Sequence, residues 1–187
     1  MPFVPYDPRN MPSKSASNSS ADTVPSRPRF AVEPGPGQES VWDYPRPPAI
    51  RRDGRLIEVR DGNAVVARSH GAYKIMETAS PPTFYIPRAD IDFDLLVPVH
   101  DTTYCEWKGT ATYWALARNP AAPVGWCYER PRPRFEVIRE YLAFYPGLVD
   151  CCLDGEQVKT QPGRFYGGWI TSDVVGPFKG APGSESW

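Results

Sequence analysis

The chain has few of the residues that usually hold metal ions or cross-links. It contains two histidines and four cysteines in 187 residues, and no two cysteines have the Cys-x-x-Cys spacing. A structural zinc site is therefore not predicted, and four cysteines are too few to cross-link a chain of this length. Cys151 and Cys152, adjacent on an expected strand, are interpreted as small buried hydrophobic residues. No metal-binding residues are assigned.

The chain also has a small net charge and no long apolar run. The formal net charge is -1, which argues against a nucleic-acid partner bound through bulk phosphate neutralisation. No stretch approaches the roughly 20 apolar residues of a membrane helix. Residues 1–5 lack the charged start and apolar run of a secretory signal. These absences predict a cytoplasmic protein without a membrane or nucleic-acid partner.

Three catalytic signatures are absent from the sequence. It contains no Gly-x-Ser-x-Gly nucleophile motif, no Gly-x-x-x-x-Gly-Lys-Ser/Thr phosphate loop and no Gly-x-Gly-x-x-Gly dinucleotide motif. The cofactor is therefore left unassigned, and the sequence carries no indication of the oligomeric state.

Proline and aromatic residues are abundant instead. The chain has 23 prolines, and 13% of its residues are aromatic. Residues 1–38 are rich in proline and serine and lack apolar periodicity, which predicts a disordered head. Residues 39–158 are predicted to form one β domain. Residues 159–187 are rich in glycine, proline and aromatic residues, and we expect this extension to pack partly on the domain.

Short β-prone runs separated by turn residues predict a mainly β fold. Residues 55–60 and 64–67 flank Asp61-Gly62-Asn63, and an Asp-Gly pair between such runs is typical of a hairpin. Further strands are predicted near residues 72–77, 83–86, 91–95, 110–116, 126–128 and 148–153. The single helical candidate covers residues 134–142, so the fold is expected to contain at most one short helix.

The densest group of reactive side chains is Cys105-Glu106-Trp107-Lys108-Gly109. A cation three residues from a thiol lowers the pKa of the thiol and favours the nucleophilic thiolate. Lys108 is alternatively suited to hold an anionic ligand while Trp107 stacks on a ring. The structural alternative places Cys105 and Trp107 in the core of a strand corner, with Glu106 and Lys108 on the solvent face.

A second group of candidate residues surrounds Glu77. On an alternating strand Tyr73, Ile75 and Glu77 share one face, so Glu77 becomes an acid–base candidate if that face is buried. Tyr85 and Arg88 are its candidate polar partners. The alternative is a solvated strand end.

Several segments together resemble the domain of unknown function 427 family. The resemblance rests on the following stretches, which occur in the expected order: residues 41–48 (VWDYPRPP), Glu77-Thr78, 80–87 (SPPTFYIP), 105–109 (CEWKG) with Ala111 and Tyr113, 143–146 (AFYP), and Val149-Asp150. Residues 165–170 look like an extension found in longer members. The resemblance implies a small folded-sheet (β-tent) or barrel-like architecture, and the family is sometimes labelled nucleotidyltransferase-like.

Nucleotidyl transfer ordinarily uses paired carboxylates that hold metal ions. Asp90, Asp92 and Asp94 alternate in the sequence and would share one face of a strand, an arrangement that offers carboxylate ligands to a divalent ion.

Three functions compete at this point. The first is a small-ligand-binding domain with a pocket around Glu77, Lys108 and Trp107. Its aromatic walls would come from Trp42, Tyr44, Tyr85, Trp107 and Tyr113. The second is an enzyme that uses Cys105 or Glu77, with Lys108 as electrostatic partner, for nucleotidyl or other group transfer. The third is a protein-interaction adaptor that works through its head and its aromatic tail.

Overall fold

The computed structural model describes residues 27–163, 165–184 and 186–187, and this part of the chain is mainly β, as predicted. The strands are β1 (Glu39–Ser40), β2 (Ala49–Arg52), β3 (Ile57–Asp61), β4 (Ala64–Ser69), β5 (Tyr73–Met76), β6 (Thr83–Tyr85), β7 (Leu96–Cys105), β8 (Gly109–Leu116), β9 (Pro123–Cys127), β10 (Leu142–Phe144), β11 (Asp150–Leu153), β12 (Glu156–Gln157), β13 (Lys159–Thr160), β14 (Trp169–Ile170) and β15 (Val174–Val175). The 3-10 helices are η1 (Val41–Asp43), η2 (Arg88–Asp90), η3 (Phe93–Leu95) and η4 (Pro133–Ile138).

The predicted hairpin is formed by β3 and β4. Asp61 pairs with Ala64, so Gly62 and Asn63 make the two-residue turn. Gly62 has a φ of 57°, a left-handed conformation that glycine adopts without steric cost. The local sequence was therefore sufficient to locate this turn.

Two antiparallel sheets join to make one folded sheet. The first has the order β2-β5-β6 and the second the order β10-β9-β8-β7. Ile86, directly after β6, and Leu142 on β10 exchange two backbone hydrogen bonds of 2.7 and 3.0 Å, which link the two sheets. Because side chains alternate along each strand, the folded sheet has an inner and an outer face.

The outer face carries the largest hydrophobic cluster. A third sheet of order β12-β11-β3-β4 packs there, and its Val59 and Cys151 join Phe84 and Phe144 of the folded sheet in this cluster. All four of these side chains are fully buried. None of the sheets in the described residues closes into a barrel.

The structure corrects two predictions of secondary structure. Residues 91–95 do not form a strand: Ile91 and Asp92 are followed by η3, in which the Asp92 side chain accepts a hydrogen bond from the Asp94 backbone N–H. A capped 3-10 turn and an edge strand share the same alternation of acidic and apolar residues. The predicted helix at residues 134–142 is only η4, and Leu142 already belongs to β10.

The C-terminal extension packs on the domain. Trp169 is fully buried, its ring centre lies 5.1 Å from that of Phe84, and its Nε1 donates to the Phe144 carbonyl at 3.1 Å. Trp187 lies 5.1 Å from Trp42. The extension therefore contributes to the hydrophobic core.

Only part of the predicted disordered head, residues 27–38, lies within the described residues. Residues 1–26 of the predicted head lie outside them. Phe30 packs 5.1 Å from Trp42, and the backbone N–H of Val32 donates to the Gly176 carbonyl, so packing on the domain begins before residue 39. No helix of the described chain has both the length and the apolar character needed to cross a membrane.

Candidate functional site

Four tyrosines meet on the inner face of the folded sheet, and we refer to them as the tyrosine cluster: Tyr85, Tyr113, Tyr128 and Tyr145. Tyr85 is contributed by β6 and Tyr113 by β8, while Tyr128 and Tyr145 directly follow β9 and β10. The cluster therefore draws on both halves of the folded sheet.

The hydroxyl groups of this cluster are held by specific partners. The indole N–H of Trp126 donates to Tyr85 Oη at 3.1 Å, and Tyr113 Oη lies 2.7 Å from Thr103 Oγ1. The rings of Trp126 and Tyr145 are 4.4 Å apart. These contacts fix the orientation of the rings, so the hydroxyls form a preorganised polar group in an otherwise apolar environment.

Burial keeps the tyrosine hydroxyls neutral. It raises the pKa of all four above the ordinary value, because the phenolate would lose its hydration. Hydrogen bonds from Trp126 and Tyr128 partly oppose this effect on the pKa of Tyr85. A neutral phenol both donates and accepts, so the cluster is suited to bind polar groups at ordinary pH.

Cys105 lies at the edge of the tyrosine cluster. It ends β7, pairs with Gly109 across the β7–β8 turn and is partly exposed. Burial raises the pKa of Tyr128, and the neighbouring Cys105 adds to this effect. Cys127 and Cys151 are buried, and burial raises the pKa of both thiols. Of these three thiols, Cys105 alone is partly exposed.

Glu77 contacts Trp107, which packs against the same hydrophobic cluster as Cys105. Trp107 Nε1 donates to Glu77 Oε1 at 3.3 Å, and the same oxygen lies 3.6 Å from Arg46 Nη2. The Glu77 side chain is 26% exposed, so it is neither a solvated strand end nor sealed in the core. Arg46 Nε is buried and has no hydrogen-bond partner among the described residues. Two predicted site residues thus form one group with an additional arginine.

The position of Lys108 contradicts the structural alternative, in which its side chain lies on the solvent face. Its side chain is buried, and its ammonium lies 5.9 Å from the ring centre of Tyr128 and 5.7 Å from that of Phe135. These separations permit cation–π attraction. Tyr128 connects the two parts of the site, because it neighbours Lys108 on one side and Cys105 on the other.

Three predicted ligand contacts lie elsewhere in the structure. Trp42 and Tyr44 belong to a separate cluster with Val41 and Val174, and Tyr44 Oη is buried without a hydrogen-bond partner among the described residues. The Arg88 guanidinium stacks 4.0 Å from the Phe93 ring centre. The predicted single aromatic pocket is therefore divided, because Trp42 and Tyr44 lie on a segment that packs against the C-terminal extension.

The three aspartates do not line one face of a strand. Asp90 belongs to η2 and accepts a hydrogen bond from Ser69 Oγ at 2.5 Å, and Asp92 caps η3. The described residues contain no group of three histidine, cysteine, aspartate or glutamate side chains placed to hold a metal ion. The divalent-ion alternative required the three carboxylates to share one face of a strand, and that prediction is wrong.

Four residues of the site were not predicted from the sequence: Tyr128, Tyr145, Trp126 and Arg46. A signal was present for two of them, since Trp126 and Tyr128 alternate on a predicted strand and therefore share a face. Tyr145 and Arg46 lie in segments that carry the family resemblance, but no local pattern predicts that either joins the site.

The geometry defines a mainly β domain with a polar aromatic site inside a folded sheet. Residues 49–155 match the family model NTP_transf_9, described as Domain of unknown function (DUF427). Because the match covers more than half of the chain, the chain belongs to this family, which confirms the resemblance. The tyrosine cluster, Glu77, Cys105 and Lys108 lie within the matched range, whereas Arg46 precedes it. No curated protein matches the chain.

Proposed function

We propose that this domain binds a small-molecule ligand at the inner-face site, which comprises the tyrosine cluster, Cys105, Trp107 and Glu77. The observation that carries the proposal is the convergence of fixed hydroxyl, carboxylate and indole groups on one aromatic face. Ligand sites are usually apolar and aromatic surfaces with a few oriented polar groups. The partly exposed Cys105, Trp107 and Tyr145 mark the side from which a ligand enters.

The polar groups at this entrance are arranged for orientation of a ligand. Glu77 accepts from Trp107 and interacts with Arg46, so the carboxylate is already neutralised and positioned. The unpartnered Arg46 Nε retains a donor. The buried hydroxyls of Tyr85 and Tyr113 supply further donors and acceptors deeper in the site. A polar ligand with a planar ring fits this combination best.

The experiment is a fragment titration followed by NMR. Neutral, anionic and cationic fragments are added to the full chain, and the indole N–H resonances of Trp107 and Trp126 are recorded. Fragments that bind at the inner-face site shift both resonances saturably, because one indole donates to Glu77 and the other to Tyr85.

Two matched variants locate the binding. Trp107→Phe removes the donor to Glu77 and is expected to weaken binding at least about tenfold, as loss of a hydrogen bond to a charged group does. Trp114→Phe is the control, because Trp114 is also partly exposed but packs on Phe93 at the opposite face. The proposal fails if no fragment shifts the two indole resonances saturably, or if Trp107→Phe and Trp114→Phe bind alike.

A further inference from the structure

The Lys108 side chain is largely buried, and its ammonium has no anionic partner among the described residues. Lys108 lies in the loop between β7 and β8, and only 9% of the residue is exposed. Its ammonium makes no ion pair and no hydrogen bond with any described residue. The contacts of this charge are the faces of the Tyr128 and Phe135 rings.

A second buried lysine in the same chain shows the usual arrangement. Lys74 is 5% exposed and forms an ion pair with Glu39. Burial removes the hydration of an ammonium, which is unfavourable unless an opposite charge or hydrogen bonds replace the lost water. Aromatic faces compensate only part of this loss. The Lys108 side chain is nearly as buried as that of Lys74, but its ammonium keeps some contact with solvent and lacks an anion among the described residues.

The segments that flank Lys108 carry exposed side chains of both charges. The backbone N–H of Arg132 donates to the Lys108 carbonyl at 3.0 Å, which holds residues 130–132 against the β7–β8 loop. The exposed Arg132 guanidinium donates to Tyr104 Oη at 2.6 Å. Arg130, Glu106 and Glu129, which are close to Lys108 or Arg132 in the sequence, are also exposed. An ammonium that lies over two aromatic rings, contacts no carboxylate of the described residues and is held next to the Arg132 backbone is suited to bind an anion.

We propose that Lys108, assisted by Arg132, binds the oxyanion of a small anionic ligand, either a carboxylate or a phosphate. This inference rests on the proposed function and names the ligand class of that same site. The oxyanion would occupy the position that a carboxylate side chain has in an ordinary buried ion pair. Tyr128 joins this position to the tyrosine cluster, where the remainder of the ligand lies.

The test is a titration of the full chain with inorganic phosphate and, separately, with acetate at constant ionic strength. The backbone amide resonance of Gly109, next to Lys108, is the readout. Saturable shifts are expected for at least one anion. Tighter binding of phosphate assigns the ligand to phosphoryl compounds, and tighter binding of acetate assigns it to carboxylates.

Charge-removing variants identify the residues that bind the anion. Lys108→Met keeps the length and the apolar stem, and it is expected to weaken anion binding at least tenfold without loss of the fold. Lys159→Met removes an exposed lysine and is expected to leave binding unchanged. Arg132→Gln gives a second test at an exposed position, with a smaller loss of affinity expected.

Two results overturn the inference: the absence of saturable shifts with either anion, or equal affinity of the wild-type chain and the Lys108→Met and Arg132→Gln variants. The failure of the anion proposal is distinguishable from that of the proposed function. If neutral fragments still shift the Trp107 and Trp126 resonances, the site binds ligands and only its assigned class is wrong.

Discussion

The substitution Gly167→Ala tests whether the C-terminal extension forms a wall of the inner-face site. A Cβ atom at residue 167 would lie 2.4 Å from Trp126 Cη2 and 3.0 Å from Tyr145 Cδ1. Both distances are too short for carbon atoms, so the Trp126 ring and the Tyr145 ring have to move or the extension has to lift. The extension therefore contacts the tyrosine cluster through a glycine that leaves no room for a side chain.

The expected decrease in the free energy of unfolding follows from overpacking. Inserting a methyl group into a well-packed region destabilises by about 1–3 kcal/mol. In a domain of this size about 1 kcal/mol corresponds to about 3 °C, so we expect Tm to fall by about 3–9 °C. The Trp126 indole resonance should also shift, because displacement of its ring disturbs the hydrogen bond to Tyr85.

Gly54→Ala is the matched control. A Cβ at residue 54 meets no atom within 4 Å, and its φ lies outside the left-handed region. Its effect on the free energy of unfolding should stay within about 0.5 kcal/mol. Thermal and urea unfolding of both variants measure the difference. Equal stability of Gly167→Ala and Gly54→Ala, with an unmoved Trp126 resonance, would refute the packing described for the extension.

Two further predictions concern ionisation and access. Because burial raises the pKa of the tyrosine cluster above 10, the stability it contributes is fully present below pH 10 and is lost as the pH rises beyond that value. Urea unfolding at rising pH, with phenolate absorbance recorded, should show these tyrosines ionising only as the fold is lost; smooth ionisation of all ten tyrosines in the intact fold would contradict this. Iodoacetamide should modify Cys105 at least about tenfold faster than the buried Cys151, as peptide mass spectrometry can measure. Equal rates in the native protein would show that Cys105 is not accessible.

Some predicted site residues lie together in the structure and others do not, because their contact partners come from different parts of the sequence. Glu77 and Trp107 were identified as members of one pocket, and they do meet, although 30 residues separate them. Trp42 and Tyr44 were assigned to the same pocket because they are aromatic and lie in the family pattern. Their actual partners include Val174 in the C-terminal extension, and no local pattern links these two segments.

The alternation of side chains along a strand does not predict the burial of Lys108. In a regular hairpin the residue between Trp107 and Gly109 points to solvent, and that was the structural alternative. The loop is instead covered by residues 130–132 and η4, which bring the Phe135 ring over the ammonium. Burial at this position depends on a segment more than twenty residues further along the chain.

The sequence by itself determined the mainly β class, the β3–β4 hairpin and the family. These features depend on residue type and short spacing, which control turn geometry and strand alternation over a few residues. Tertiary structure alone decided that β6 and β10 join through Ile86 and Leu142, and that joining assembles the tyrosine cluster from four separate segments. Contacts between distant segments depend on the packing of the whole chain, because each strand offers its neighbours the same backbone hydrogen bonds whatever its side chains.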